Sequence, residues 1–195
     1  MFQSRKTLFA AGAIRAFEMD GNDVPALQGF FEQNPEYYLL VSGEPPTATE
    51  AHEEVHGPLP DGWPYTKKWI IGFADGPGTL VGIANVVSDL LAPTVWHVGF
   101  FLIATAYYGR GIGGPLYDAL EDWMRREGAA WSRLGVVEGN LRGERFWKGR
   151  GYVEVRKRAN IPAGARVNTI SVQVKPLNGG SIESYLKLVE RDRPD

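Results

Sequence analysis

Cysteine is absent from the 195 residues, which excludes a disulfide framework and a thiol nucleophile. No apolar run approaches the roughly 20 residues that a membrane span needs. Internal repeats and low-complexity segments are missing as well. Basic residues are missing from one long region: between Arg15 and Lys67 there is no Lys or Arg, while Glu18, Asp20, Asp23, Glu32, Glu36, Glu44, Glu50, Glu53, Glu54 and Asp61 all fall there. From Arg125 to Arg158 the balance reverses, with Arg125, Arg126, Arg133, Arg142, Arg145, Lys148, Arg150, Arg156, Lys157 and Arg158 set against four acids. One region suits a cation and the other an anion, although solvated helix faces would give the same count.

What is present reads as a globular domain. At 44% hydrophobic and 23% charged, with a net charge of −2, the chain is long enough for one sizeable core and short for two. A single domain over residues 1–177 is expected, with residues 178–195 as a terminal tail or short helix. Arg5 and Lys6 precede a mildly apolar stretch in the manner of a short signal peptide, but Arg15 interrupts the run, and the segment reads better as a first strand. A soluble cytoplasmic protein is the expectation, with neither membrane nor nucleic acid as partner.

The order of elements follows from periodicity and breakers. A strand at Ile14 to Met19 leads into a helix carrying Leu27, Phe30 and Phe31, with Asp23 as the expected N-cap. Thr47 or Thr49 can cap a second short helix reaching about Val55. Strands at Lys67 to Ala74 and Thr79 to Val87 are joined by Asp75-Gly-Pro-Gly, too short for a crossover and therefore a hairpin. Further strands are expected at Arg133 to Val137, Tyr152 to Arg158 and Arg166 to Val174, with Ile161-Pro-Ala-Gly-Ala as a link before the last. A helix from about Leu141 to Lys148 is stopped by Gly149 and Gly151. The fold class is α/β in the broad sense: an α+β mixed sheet, antiparallel at first, then with a right-handed crossover.

The chain is organised around Thr94 to Glu127. Val95 to Ile103 is an apolar run of aromatic and β-branched residues, which predicts a strand buried on both faces. Gly109, Gly111, Gly113 and Gly114 follow, and then Leu116, Leu120, Trp123 and Met124 recur at helical spacing. Glycines ahead of a helix let the backbone approach a ligand and present N–H groups beside the positive end of the helix dipole. That turn is an anion site suited to a pyrophosphate. Gly109-Arg-Gly111-Ile-Gly113-Gly114 also satisfies the dinucleotide fingerprint G-x-G-x-x-G, with Glu138 where a ribose-binding acid would fall. Ala104 to Tyr108 separate strand from glycine, however, and too little chain follows to build a second βαβ half.

Ile103 to Gly114 resembles motif A of the GNAT acetyltransferases, with Gly111 and Gly113 at the glycine positions and Tyr108 where Gln or Arg is usual. Asn140-Leu-Arg-Gly143-Glu-Arg-Phe146-Trp147-Lys-Gly-Arg-Gly151-Tyr152 resembles motif B of the same family. The resemblance implies an acetyl-CoA-dependent N-acetyltransferase acting on a primary amine by direct attack in a ternary complex. A non-catalytic acyl-CoA-binding domain of the same fold is the alternative, and a dinucleotide-binding oxidoreductase a more distant one. It also implies that Phe101, Leu102 and Ile103 offer backbone groups to pantetheine. Tyr108, Gly109, Arg110, Gly111, Ile112, Gly113 and Gly114 would wrap the pyrophosphate, and Asn140, Phe146 and Trp147 would line the other side.

Trp147 stands where the family's tyrosine acid is usual. His97, in the central strand, is the candidate general base, an imidazole of ordinary pKa about 6.5 suiting the task; Glu138 is the alternative. Glu36, Tyr37 and Tyr38 open the long acidic connection and are the candidate substrate contacts, for an acceptor that is cationic in solution. No metal is expected, and a homodimer is compatible with the sequence.

Overall fold

The computed structural model describes residues 2, 4–76 and 78–194. Eight strands, β1 (Thr7–Ala11), β2 (Ile14–Met19), β3 (Lys67–Asp75), β4 (Thr79–Ser88), β5 (Val95–Ile103), β6 (Trp131–Val137), β7 (Val153–Ala163) and β8 (Arg166–Pro176), form one sheet. Their order is β1-β2-β3-β4-β5-β6-β8-β7, and only β5 and β6 pair in parallel. One parallel pair inside an otherwise antiparallel sheet excludes the doubly wound dinucleotide fold. The crossover between that pair is α4 (Gly113–Arg126); the other helices are α1 (Val24–Gln33), α2 (Glu36–Val41), α3 (Glu50–His56), α5 (Leu141–Gly149) and α6 (Ile182–Leu188).

Each face of the sheet is covered. Against one face α4 buries Leu116, Tyr117, Leu120, Trp123 and Met124 among Phe9, Phe73, Trp96 and Leu134. Against the other, Leu27, Phe30 and Phe31 of α1 and Ala51 of α3 pack on Phe17, Ile70 and Ile83. Burial of each such large apolar side chain contributes about 1.5–3 kcal/mol. The C-terminal segment covers the remaining end, where Tyr185 of α6 joins Val95, Trp131, Val172 and Val174. No helix among the described residues is long and apolar enough to cross a membrane.

Several expectations need correction. The first strand is a hairpin of two, because Gly12 takes a left-handed φ of 60° and turns the chain between β1 and β2. Asp23 occupies the N-cap position of α1 as expected but makes no side-chain cap bond there; the 3-10 turn Gly21–Asp23 before it is capped by Asp20, which accepts from Asn22 N (2.8 Å), while Asp23 reaches back to Asp20 N (2.9 Å). Ile161 to Ala163 are not a link: they pair with Arg166 to Asn168, and the hairpin turns at Gly164, φ 54°. The expected β3–β4 hairpin is present; Pro77 of its turn lies outside the described residues.

The burial expected for β5 also fails in its second half, for a reason that makes the site. Asn85 pairs with Phe100 and Val86 with Val98, so Gly99 is an extra residue, a bulge. Parallel pairing with β6 is confined to Val95–Val98 and Trp131–Leu134. Past the bulge the two strands part, β5 staying with β4 and β6 with β8. Residues 100–103 are consequently only half-buried.

Candidate active site

The gap between β5 and β6 opens a cavity of about 650 Å³ that passes through the sheet. Its walls are the freed stretch of β5 with Gly99, Phe101, Leu102 and Ile103, and the facing stretch of β6 from Leu134 to Val137. Tyr108, Gly109, Gly111, Ile112, Gly113 and Gly114 border it on the α4 side, and Asn140, Phe146 and Trp147 close the α5 side. Glu36, Tyr37, Leu40 and Val41 of α2 complete the lining.

The glycine turn has the geometry an anion requires. Gly109 and Gly111 take φ of 74° and 73°, left-handed values open to glycine at little cost, and a Cβ at either would meet nothing within 4 Å. They are glycines for backbone shape. Among the described residues the backbone N–H groups of Gly109, Gly111, Ile112, Gly113 and Gly114 have no hydrogen-bond partner, and all five residues border the cavity. The first turn of α4 holds no acidic residue and has no side-chain cap. Free amides at an uncapped helix start offer a pyrophosphate both donors and a favourable dipole.

The aromatic wall is built by packing. Phe146 stacks on Phe101 with centroids 5.8 Å apart, and Trp147 sets its edge against Tyr117 (5.1 Å) and Tyr152 (5.3 Å). Behind them the hydroxyls of Tyr117, Tyr152 and Ser132 form a buried hydrogen-bonded row. Asn140 is also the N-cap of α5, its Oδ1 accepting from Gly143 N (3.0 Å).

Four expected residues lie elsewhere. Arg110 does not border the cavity and sits over the Tyr107 ring (5.1 Å). Tyr38 packs edge-on against Phe31 (5.3 Å) rather than facing the gap. Glu138 is exposed beyond the end of β6 and paired with Lys157 Nζ (2.7 Å).

His97 lies on the paired part of β5, before the bulge, opposite Arg133 of β6. Arg133 Nη1 donates to its Nδ1 (3.3 Å), and burial, together with the charge of Arg133, pulls the imidazole down to about 3. Such a ring is neutral throughout the physiological range and has little affinity for a proton. His97→Asn should accordingly leave the pH profile of turnover unshifted between about pH 6 and pH 8, where a free imidazole would titrate; a displaced limb would return His97 to the chemistry.

Sequence reasoning missed Gly99, Leu40, Val41 and Arg142. A lone glycine inside an apolar strand is itself a bulge signal and could have found the first. Arg142 lies over the Tyr108 ring (4.0 Å) and 3.6 Å from Glu36, tying α5, the glycine turn and α2 together across the cavity mouth.

The family model for the acetyltransferase (GNAT) family matches residues 30–152, well over half of the chain. The chain belongs to the GNAT acetyltransferase family. It is therefore an enzyme of the acetyltransferase class.

Solved structures agree on the fold. An acetyltransferase from Thermus thermophilus is 18% identical with a TM-score of 0.67, covering 84% of this chain and 97% of that one. A GCN5-related N-acetyltransferase from Kribbella flavida is 23% identical (TM-score 0.62; 86% and 99% covered). Spermidine N-acetyltransferase from Vibrio cholerae, solved in complex with CoA and spermine, is 13% identical (TM-score 0.66; 85% and 96% covered). No curated protein matches the sequence.

Proposed function

We infer that this protein transfers an acetyl group from acetyl-CoA to a primary amine by direct attack in a ternary complex. The observation that carries the reading is the continuity of the cavity. The free amides of the glycine turn, the facing edges of β5 and β6, and α2 all line one space. A donor held by the amides and an acceptor entering beside α2 would meet between the parted strands. Acetyl-CoA supplies the thioester. The chain holds it by amides at the pyrophosphate and by the unpaired edge of β5 beyond Gly99, and the aromatic wall of Phe101, Phe146 and Trp147 excludes water. With no cysteine, an acyl-cysteine route is unavailable. An intracellular location would suit the donor.

The experiment is free-thiol release from acetyl-CoA across a panel of amines, with calorimetry of acetyl-CoA binding alone. Binding without thiol release for any amine would instead support the acyl-CoA-binding reading.

Departure of the thiol needs no acid under this reading. Trp147 fills the usual tyrosine position, and an indole N–H does not give up its proton, but a thiol with pKa roughly 8.5 can leave as thiolate near neutral pH. Trp147→Tyr should change turnover by less than about tenfold, measured at saturating acetyl-CoA. A rise of about a hundredfold, the scale of general acid catalysis, would show that an acid is missing.

A further inference from the structure

Most of the acidic N-terminal region is accounted for by local pairing. Asp20 and Asp23 bind Arg5 (2.5 and 2.6 Å), Glu18 binds Lys67 (2.8 Å), and Glu50 and Glu53 accept from Thr47 and Thr49. Glu54 of α3 differs. One carboxylate oxygen accepts from Asn85 Nδ2 of β4, and the other has no hydrogen-bond partner among the described residues. Lys68, the nearby cation, spends its ammonium on the carbonyls of Glu54 and Gly57, each at 2.7 Å.

Asn85 is an independent sign. It is 7% exposed, and its Oδ1 is buried with no partner. That oxygen would lie 3.2 Å from a Cβ at Gly99, so it faces the bulge that borders the cavity. A buried acceptor without a donor is costly unless something pairs with it. Neither side chain lines the cavity itself, but a buried amide oxygen without a donor against Gly99, with the solvent-reaching second oxygen of Glu54 beside it, calls for a ligand made of N–H donors.

We propose that Glu54 and Asn85 receive the acceptor's ammonium group, Glu54 taking the proton that must leave before the nitrogen can attack. The proposal rests on the acetyltransferase reading and assigns its acceptor class: a primary amine that arrives as a cation. The ammonium passes one proton to Glu54, giving a neutral amine and a protonated carboxyl. The nitrogen lone pair forms the bond to the acetyl carbon, and the carbon–sulfur bond breaks with its electron pair leaving on sulfur. The second nitrogen proton ends on the thiolate and that of Glu54 is released to solvent. Asn85 Oδ1 accepts an N–H throughout and fixes the direction of approach.

The groups around Glu54 suit the task. It bonds Asn85 from β4, and the charged and titratable groups that act on it or feel it are Glu50 on its own helix, Lys68 from β3, and Tyr37 and Tyr38 from α2. Burial raises the carboxyl above its ordinary range, with Glu50 adding to the shift, while Asn85 and Lys68 oppose it. A raised carboxyl is the stronger base and is also protonated at higher pH than a free one. Activity should therefore fall on acidification at a pH above the ordinary Glu value of about 4.3. Tyr37, which borders the cavity, is pushed up to about 12 by burial and by the charges of Glu54 and Glu50, so it stays a neutral neighbour.

The test uses the full chain with n-butylamine and 1,4-diaminobutane as cationic acceptors and aniline as one that is neutral at pH 7. Glu54→Gln should lower kcat/KM for the two cations about 10²-fold at pH 7 and recover as pH approaches the amine pKa near 10.4. The loss for aniline, which needs no deprotonation before attack, should be several-fold smaller than for the cations, and the acetyl-CoA affinity should stay near wild type. Glu54→Asp should restore part of the loss, and Asn85→Ala should raise KM for the cations more than it lowers kcat. A Glu54→Gln enzyme that binds acetyl-CoA normally and acetylates butylamine at the wild-type rate overturns the proposal and leaves the acetyltransferase reading intact. Wild-type enzyme that releases no thiol with any of the three overturns both.

Discussion

Replacing Asp192 by alanine should cost this fold about 3–5 kcal/mol, the loss that follows when one partner of a buried ion pair is removed and the other stays. Asp192 is fully buried near the end of the chain and accepts from Arg133 Nε (2.7 Å) and Nη2 (3.0 Å), Arg158 Nη2 (3.0 Å) and the Tyr185 hydroxyl (2.6 Å). Arg133 is itself buried in β6, lies over the Trp63 ring (5.6 Å) and bonds His97. Without the carboxylate, a guanidinium remains inside the protein beside a neutral imidazole. Burial pushes the Asp192 carboxyl up, but hydrogen bonds and charge from Arg133, with Tyr185 and Arg158, outweigh it and hold the group below its ordinary value. Its contribution is thus present in full above the unfolded pKa, about 3.9, and lost as pH falls through the depressed folded value. Denaturant unfolding at neutral pH measures the loss. The double variant Arg133→Met with Asp192→Leu should recover much of it, since well-packed apolar pairs often replace buried ion pairs without penalty. An unchanged midpoint for Asp192→Ala would show that the C-terminal segment adds nothing to the core.

That latch was invisible in the sequence. Residues 178–195 read as a terminal tail or short helix, and the partner Arg133 lies 59 positions away from Asp192. The same blindness misdirected His97. A lone histidine in an apolar strand looks poised for chemistry when its neighbours are unknown; in the fold, burial first and then the charge of Arg133 from the parallel strand lower its affinity for a proton. The hairpin of β7 and β8 was hidden for a related reason: Pro162 and Gly164 look like breakers, yet Ala165 N, Arg166 and Asn168 bond the carbonyls of Ser42, Leu40 and Val41 in and just after α2. Local signals report turns well and long-range docking poorly. The glycine turn and the α4 stripe were legible because each is written within about a dozen residues. Gly99 went unread although a glycine in a strand signals a bulge, and its meaning depended on the register with β4.

Gly113→Val should weaken acetyl-CoA binding by about tenfold or more while leaving the fold intact, which follows from how Gly113 differs from its neighbours. Gly109 and Gly111 hold left-handed φ, where any side chain adds strain of about 1–3 kcal/mol whether or not a ligand is present. Substitution there would confound binding with stability. Gly113, the first residue of α4, has no such φ, and a Cβ on it would rest 3.7 Å from Ile103 Cγ1 and from Phe146 Cε2, ordinary contacts that alanine can make. Valine adds two methyls in the slot between Ile103 of β5 and Phe146 of α5, beside the free amides that border the cavity. A pyrophosphate held away from those amides loses hydrogen bonds to a charged group, each worth about 1.5–3 kcal/mol, and about 1.4 kcal/mol is a factor of ten in affinity. Calorimetry should therefore give a graded series, with Gly113→Ala close to wild type and Gly113→Val far weaker. Both should melt near the wild-type temperature, and both affinities should fall with added salt because the contact is with an anion. Equal affinity across the series, with intact melting, would mean that the pyrophosphate does not rest on the start of α4.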